Sequence, residues 1–135
     1  MYSFIRKGIF SLHPEDAHNL VIKALGLAAY PPFHFLLKQL LNCPQGMPKT
    51  VMGIEFKNPI GLAAGADKNA EAIDGFGAMG FGFIEVGTVT PLAQEGNAKP
   101  RQFRLVEAEG IINRNGFNNY GIDQLIPVSY THLRA

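Results

Sequence analysis

The sequence predicts an α/β fold in which a short group of amphipathic helices precedes a strand, helix and strand of the βαβ kind. Apolar residues recur at helical spacing up to Leu41, a connector bearing Pro44, Gly46 and Pro48 interrupts them, and two apolar runs beyond it flank a second helical pattern.

The composition is that of a globular domain. The chain has 135 residues, 47% of them hydrophobic and 17% charged, which argues against disorder. Its formal charge of +1 gives no electrostatic reason to expect nucleic acid as a partner. The charge is unevenly spread, because residues 1–50 carry Arg6, Lys7, Lys23, Lys38 and Lys49 against Glu15 and Asp16. The single cysteine, Cys43, excludes an internal disulfide and reads as a small apolar residue. His13, His18, His34 and His132 have no partners at zinc-ligand spacing, so no metal site is expected. No run reaches the roughly 18–20 apolar residues that span a bilayer. Glu15 and Asp16 arrive before any signal-peptide core develops, so the N-terminus is expected to be retained.

The elements follow in order. Phe4, Ile5, Ile9 and Leu12 predict a short opening helix. Ala17, Leu20, Val21, Ala24 and Leu25 predict a second, entered at Pro14 with Glu15 and Asp16 in its first turn. Phe33, Leu36, Leu37, Leu40 and Leu41 predict a third, entered through Pro31 and Pro32. Broad apolar stripes opposite lysine and arginine suit either packing on the protein itself or an anionic membrane surface. The helical segment is assigned to residues 1–45 and the α/β part to 46–126.

Within that part, Thr50–Met52 and Ile54–Lys57 around Gly53 predict a hairpin, and Ile60–Ala64 a first core strand. A helix over Asn69–Met79 then leads to a second strand, Phe81–Val86. Arg101–Val106 and Gly110–Asn113 predict a further hairpin, followed by a helix from about Asn119.

Gly75-Phe76-Gly77-Ala78-Met79-Gly80 matches the dinucleotide-binding glycine pattern, but in the wrong context. That motif needs a strand before and a helix after, whereas here the order is reversed. These glycines are expected to end a helix and turn into the second strand.

Chemistry is expected at the C-terminal ends of the two core strands, where α/β folds gather functional groups. Ala64-Gly65-Ala66-Asp67-Lys68 combines small residues, which admit a flat ring or phosphate close to the backbone, with a cation. Gly87-Thr88 offers a close-approach glycine and a hydroxyl. Taken alone, such a stretch is more often a tight turn with a surface ion pair than a cofactor site. The segment from Asn113 to Asn119 has four asparagines in seven residues, which suit a planar imide or, alternatively, a turn capping the next helix.

These residues resemble the class 2 dihydroorotate dehydrogenases. The resemblance rests on Asn58-Pro59-Ile60-Gly61-Leu62-Ala63-Ala64-Gly65-Ala66-Asp67-Lys68, Met79-Gly80-Phe81-Gly82, Glu85-Val86-Gly87-Thr88-Val89-Thr90-Pro91, Lys99-Pro100-Arg101 and Ile112-Asn113-Arg114. It runs to about Ile126, roughly the first third of a family-length chain, and implies the opening part of a TIM (β/α)8 barrel with FMN at its C-terminal mouth. By motif, Ala64, Gly65, Ala66, Asp67, Lys68 and Thr88 would contact FMN. Lys68 with Asn113, Arg114, Asn115, Gly116 and Phe117 would contact dihydroorotate or orotate, and Arg104 would lie near the quinone. The resemblance further implies a peripheral protein on the cytoplasmic face of the bacterial inner membrane, held through its N-terminal helices.

The same resemblance puts the catalytic base beyond Ile126, so the 135-residue chain alone is expected to be inactive and poorly soluble. A small membrane-associated flavin-binding module without catalysis is the alternative. Two positions depart from the family pattern: Asn115 replaces a larger residue, and His13 replaces the aspartate that commonly opens the helix. Val128-Ser129-Tyr130-Thr131-His132-Leu133-Arg134-Ala135 resembles the translation of a transposase-type sequencing adapter, so residues 127–135 are expected not to belong to the natural protein.

Overall fold

Proline opens the two longer N-terminal helices. In the computed structural model, which describes residues 2–41 and 46–132, helix α1 spans Tyr2–Phe10, α2 Pro14–Gly26 and α3 Pro31–Leu41. Glu15 and Asp16 sit at the positive end of α2 and Lys23 in its last turn, each complementing the helix dipole. His13 makes no side-chain capping bond there. A 3-10 turn, Leu27–Ala29, joins α2 to α3, and the two arms bend by 116°. No single helix among the described residues is long and apolar enough to cross a membrane. Helix α3 has no buried residue at all. Cys43 and Pro44 of the expected connector lie outside the described residues.

Strands β1 (Lys49–Val51) and β2 (Ile54–Phe56) form the expected antiparallel hairpin, with Val51 opposite Ile54. Met52 and Gly53, both at positive φ (50° and 77°), make the two-residue turn that matches strand twist. Strand β3 (Gly61–Leu62) pairs in parallel with β4 (Phe83–Ile84), and α4 (Ile73–Ala78) crosses between them. The βαβ unit is therefore present, with shorter elements than expected. Among the described residues β3 and β4 pair only with each other, and Ile60, expected in a buried run, is exposed.

Helix α4 starts four residues later than predicted because Asp67 holds the preceding turn. One carboxylate oxygen accepts the Glu71 N–H and the other the Ala72 N–H, each at 2.8 Å. Ala70, expected on the apolar helix face, is buried in this turn at a φ of 60°. Strands β5 (Gln102–Leu105) and β6 (Gly110–Asn113) form the predicted second hairpin. Helix α5 (Ile122–His132) closes the described chain, with Pro127 inside it.

The core joins the helical segment to the α/β part. Ile22 of α2 packs with Ala72 and Phe76, and Leu25, Leu62, Met79, Phe81 and Ile84 surround them. Gly75 makes this crossing possible, since a Cβ there would stand 2.5 Å from the Leu25 carbonyl oxygen. The glycine pattern at 75–80 is thus a packing device. Gly80, at a φ of 93°, follows the helix as expected, whereas Gly75 and Gly77 lie inside it.

Candidate functional site

The parallel pairing of β3 and β4 brings their C-terminal ends side by side. The Gly65 N–H donates to the Gly87 carbonyl at 2.8 Å, extending the pairing past both strands. No atom lies within 4 Å of where a Gly65 Cβ would stand, so the space above this backbone is open. Thr88 follows, exposed, across a cis peptide bond from Gly87.

Strand β6 delivers the second wall. Its register places Asn113 opposite Gln102, and the chain continues through Arg114, Asn115 and Gly116 to Phe117. Phe117 holds a φ of 56°, a strained conformation for a non-glycine residue, with its ring largely exposed. The two walls enclose a cavity of about 550 Å³ lined by Ala64, Gly65, Lys68, Gly87, Thr88, Asn97, Asn113, Arg114, Asn115, Gly116 and Phe117. Ten of the residues singled out in the sequence meet here: Ala64, Gly65, Lys68, Gly87, Thr88 and the run from Asn113 to Phe117. The lining includes two cations and three side-chain amides and no carboxylate.

Lys68 stands where this cavity meets a larger one of about 730 Å³ beneath α2. Its Nζ donates to Asn118 Oδ1 at 3.0 Å. Burial holds its pKa below the ordinary lysine value, and the positive charge of Arg101 adds to the effect. Ala66 and Asp67 line only the larger cavity. Asp67 is 1% exposed and its two oxygens accept the N–H groups of Glu71 and Ala72, which replaces the expected surface ion pair with an internal turn cap. His18 also lines the larger cavity, its pKa lowered by burial and then by Lys68.

The amide-rich segment divides in two. Asn113 and Asn115 line the smaller cavity, whereas Asn119 is buried in turn bonds. Asn119 Oδ1 accepts the Gly121 N–H at 2.8 Å, and its Nδ2 donates to the Phe117 carbonyl at 2.7 Å. Asn97, which no motif in the sequence marks, also lines the smaller cavity. Its backbone N–H donates to the Asn115 carbonyl at 3.0 Å and its Nδ2 to the Arg114 carbonyl at 2.7 Å.

Arg104 lies apart from these residues, on β5 against the helical segment. Its Nη1 donates to the Leu12 carbonyl at 2.7 Å, and its guanidinium carbon stands 4.6 Å from the Phe10 ring centre, within cation–π range. Nearby, Arg101 and Glu15 form a buried ion pair at 2.5 Å. Both arginines tie the N-terminal helices to the β5–β6 hairpin.

Fold and site together define an α/β protein with a cationic, amide-lined cavity at the C-terminal ends of parallel strands. A family profile for dihydroorotate dehydrogenase matches residues 47–134. The chain belongs to the dihydroorotate dehydrogenase family. It is 80% identical over 126 residues to the dihydroorotate dehydrogenase (quinone) of Actinobacillus succinogenes and 75% identical to that of Pasteurella multocida. Those alignments cover 93% of this chain and 37% of each relative, so the chain spans little more than a third of their length. A crystal structure of the Eimeria tenella enzyme in complex with ferulenol superposes with a TM-score of 0.68 at 39% identity, over 93% of this chain and 34% of that one. The ligand-free Eimeria tenella enzyme also scores 0.68, at 41% identity over 90% of this chain and 32% of that one. Family and structural neighbours imply a TIM barrel, of which β3, α4 and β4 form one βαβ unit.

Proposed function

We propose that this chain supplies one side of the active site of a quinone-dependent dihydroorotate dehydrogenase, which oxidises (S)-dihydroorotate to orotate with FMN and passes the electrons to a quinone. One observation carries the reading: the smaller cavity offers Lys68, Arg114 and three asparagines, with no opposing carboxylate, above an open glycine backbone. A flat ring needs the unobstructed backbone of Ala64 and Gly65, and a planar imide with a carboxylate needs paired amides and a cation. Bound FMN would supply hydride acceptance. On this reading Ala64, Gly65, Lys68 and Thr88 face the flavin, with Ala66 and Asp67 shaping the loop. Lys68 and the residues from Asn113 to Phe117 face the orotate.

The helical segment, residues 1–45, would rest on the membrane at the cytoplasmic face of the bacterial inner membrane and frame the quinone entrance. Exposed Phe33, Phe35, Leu36 and Leu40 on α3, with Lys38 on the same helix, support this, since they combine apolar insertion with attraction to anionic lipid. Arg104, on β5 and packed against the Phe10 ring at the end of α1, is the candidate quinone contact. The barrel portion is 46–126. The remaining flavin ligands and the base belong to the rest of the enzyme, so the isolated 135-residue chain is inactive.

The test is the purified full-length enzyme. It should carry an oxidised-flavin spectrum that bleaches on adding dihydroorotate and recovers on adding a short-chain quinone. A colourless protein, or a flavin indifferent to dihydroorotate, refutes the reading.

A further inference from the structure

Between the N-terminal helices and the smaller cavity runs an unbroken series of polar contacts. Arg101 is its centre, 6% exposed, with Glu15 equally buried against it. Its Nε and Nη2 donate to the Glu15 carboxylate of α2, and its Nη1 donates to the backbone carbonyls of Glu95 and Asn97. A planar guanidinium presents its donors in a fixed fork, so a carboxylate held on one side orients the other side against the 95–97 loop. Lysine could not transmit that orientation.

The loop in turn holds the cavity wall. Asn97 donates from its backbone to the Asn115 carbonyl and from its side chain to the Arg114 carbonyl. The Arg101 carbonyl accepts the Arg114 N–H at 2.9 Å, so the same residue holds the wall directly through its backbone and, by way of Asn97, through its side chain. Gly116, at a φ of 71°, permits the contact, because a Cβ there would stand 2.9 Å from the Asn97 nitrogen.

We propose that Arg101 is a positioning residue through which Glu15 of the N-terminal helices sets the placement of Asn97 and of the 113–117 wall, so that docking of the helical segment and affinity at the smaller cavity are coupled. This rests on reading the smaller cavity as the substrate site. Seating the helices fixes the carboxylate, the carboxylate fixes the guanidinium, and the guanidinium fixes the loop that shapes the wall.

Two measurements on the full-length enzyme test this. In steady-state kinetics, Glu15→Gln and Arg101→Lys should each raise the KM for dihydroorotate by about fivefold or more, while kcat, the KM for quinone and flavin content change by less than about twofold. The double variant should stay well below the roughly 25-fold product expected of independent sites. Hydrogen–deuterium exchange without substrate should quicken in residues 94–98 and 113–117 of Glu15→Gln and of Arg101→Lys, and not in the β1–β2 hairpin. Multiplying KM effects, or exchange that rises evenly over the protein, overturns the coupling. If Glu15→Gln does not fold, Arg101→Lys carries both the KM and the exchange readout. An enzyme that ignores dihydroorotate would overturn the substrate assignment, and the exchange pattern would still decide the relay.

Discussion

Lys68 donates its ammonium to Asn118 Oδ1 at 3.0 Å, joining the turn after β3 to the segment after β6 across 50 residues of sequence. The contact holds one cation at the junction of the two cavities. Lys68→Met should therefore weaken dihydroorotate binding by about tenfold or more, reflecting loss of a charge-assisted bond of about 1.5–3 kcal/mol. Substrate titration of the flavin spectrum measures it.

The depressed Lys68 pKa has a definite sign. Folding disfavours its charged form, so the native state carries that penalty below the native pKa and loses it as pH rises towards the unfolded value. Lys68→Met should remove this alkaline gain, seen as a flatter stability profile in denaturant melts above neutral pH. An unchanged profile would contradict the assignment.

Glu15 behaves oppositely. Hydrogen bonding from Arg101 holds its carboxyl below the ordinary glutamate value, outweighing desolvation, so its stabilisation is present above the unfolded pKa and disappears as pH falls through the native one. Glu15→Ala should destabilise the protein by about 3–5 kcal/mol at neutral pH, since it leaves a buried guanidinium without its partner. The gap between wild type and variant should narrow on acidification. Thermal midpoints across an acid pH series read both effects.

Asp67→Ala removes two charge-assisted bonds to the turn before α4. A loss of about 2–4 kcal/mol is expected, measured as a lower denaturant midpoint with an unchanged m-value. Asp67→Asn keeps one acceptor and should lose less.

Gly75→Ala tests the helix crossing. The added methyl would press on the Leu25 carbonyl, 2.5 Å away, and should cost about 1–3 kcal/mol although alanine favours helices. A stabilised variant would refute the packing role.

Much of this architecture is readable from residue order. Proline entries and apolar spacing locate the three N-terminal helices, and both hairpins follow from pattern, although Met52, expected in the first strand, joins Gly53 in the turn. The smaller cavity is legible because its lining comes from two strand ends carrying unusual side chains. What pattern cannot reach depends on distant contact. Asp67 looks like half of a surface ion pair until its oxygens meet the turn that follows, and α4 starts late for that reason. No motif marks Asn97 until β5 and β6 fold back and set it beside Asn115. Gly75 is expected near the end of a helix, and only the crossing of α2 shows why a glycine is needed there.

The 86 residues that separate Glu15 from Arg101 also fix an order of assembly. At about 5–20 residues per second, the ribosome makes Arg101 roughly 4–17 s after Glu15. During that interval Glu15 of α2 has no Arg101 guanidinium to seat against, so the helical segment cannot take its final place until the β5–β6 hairpin has been made.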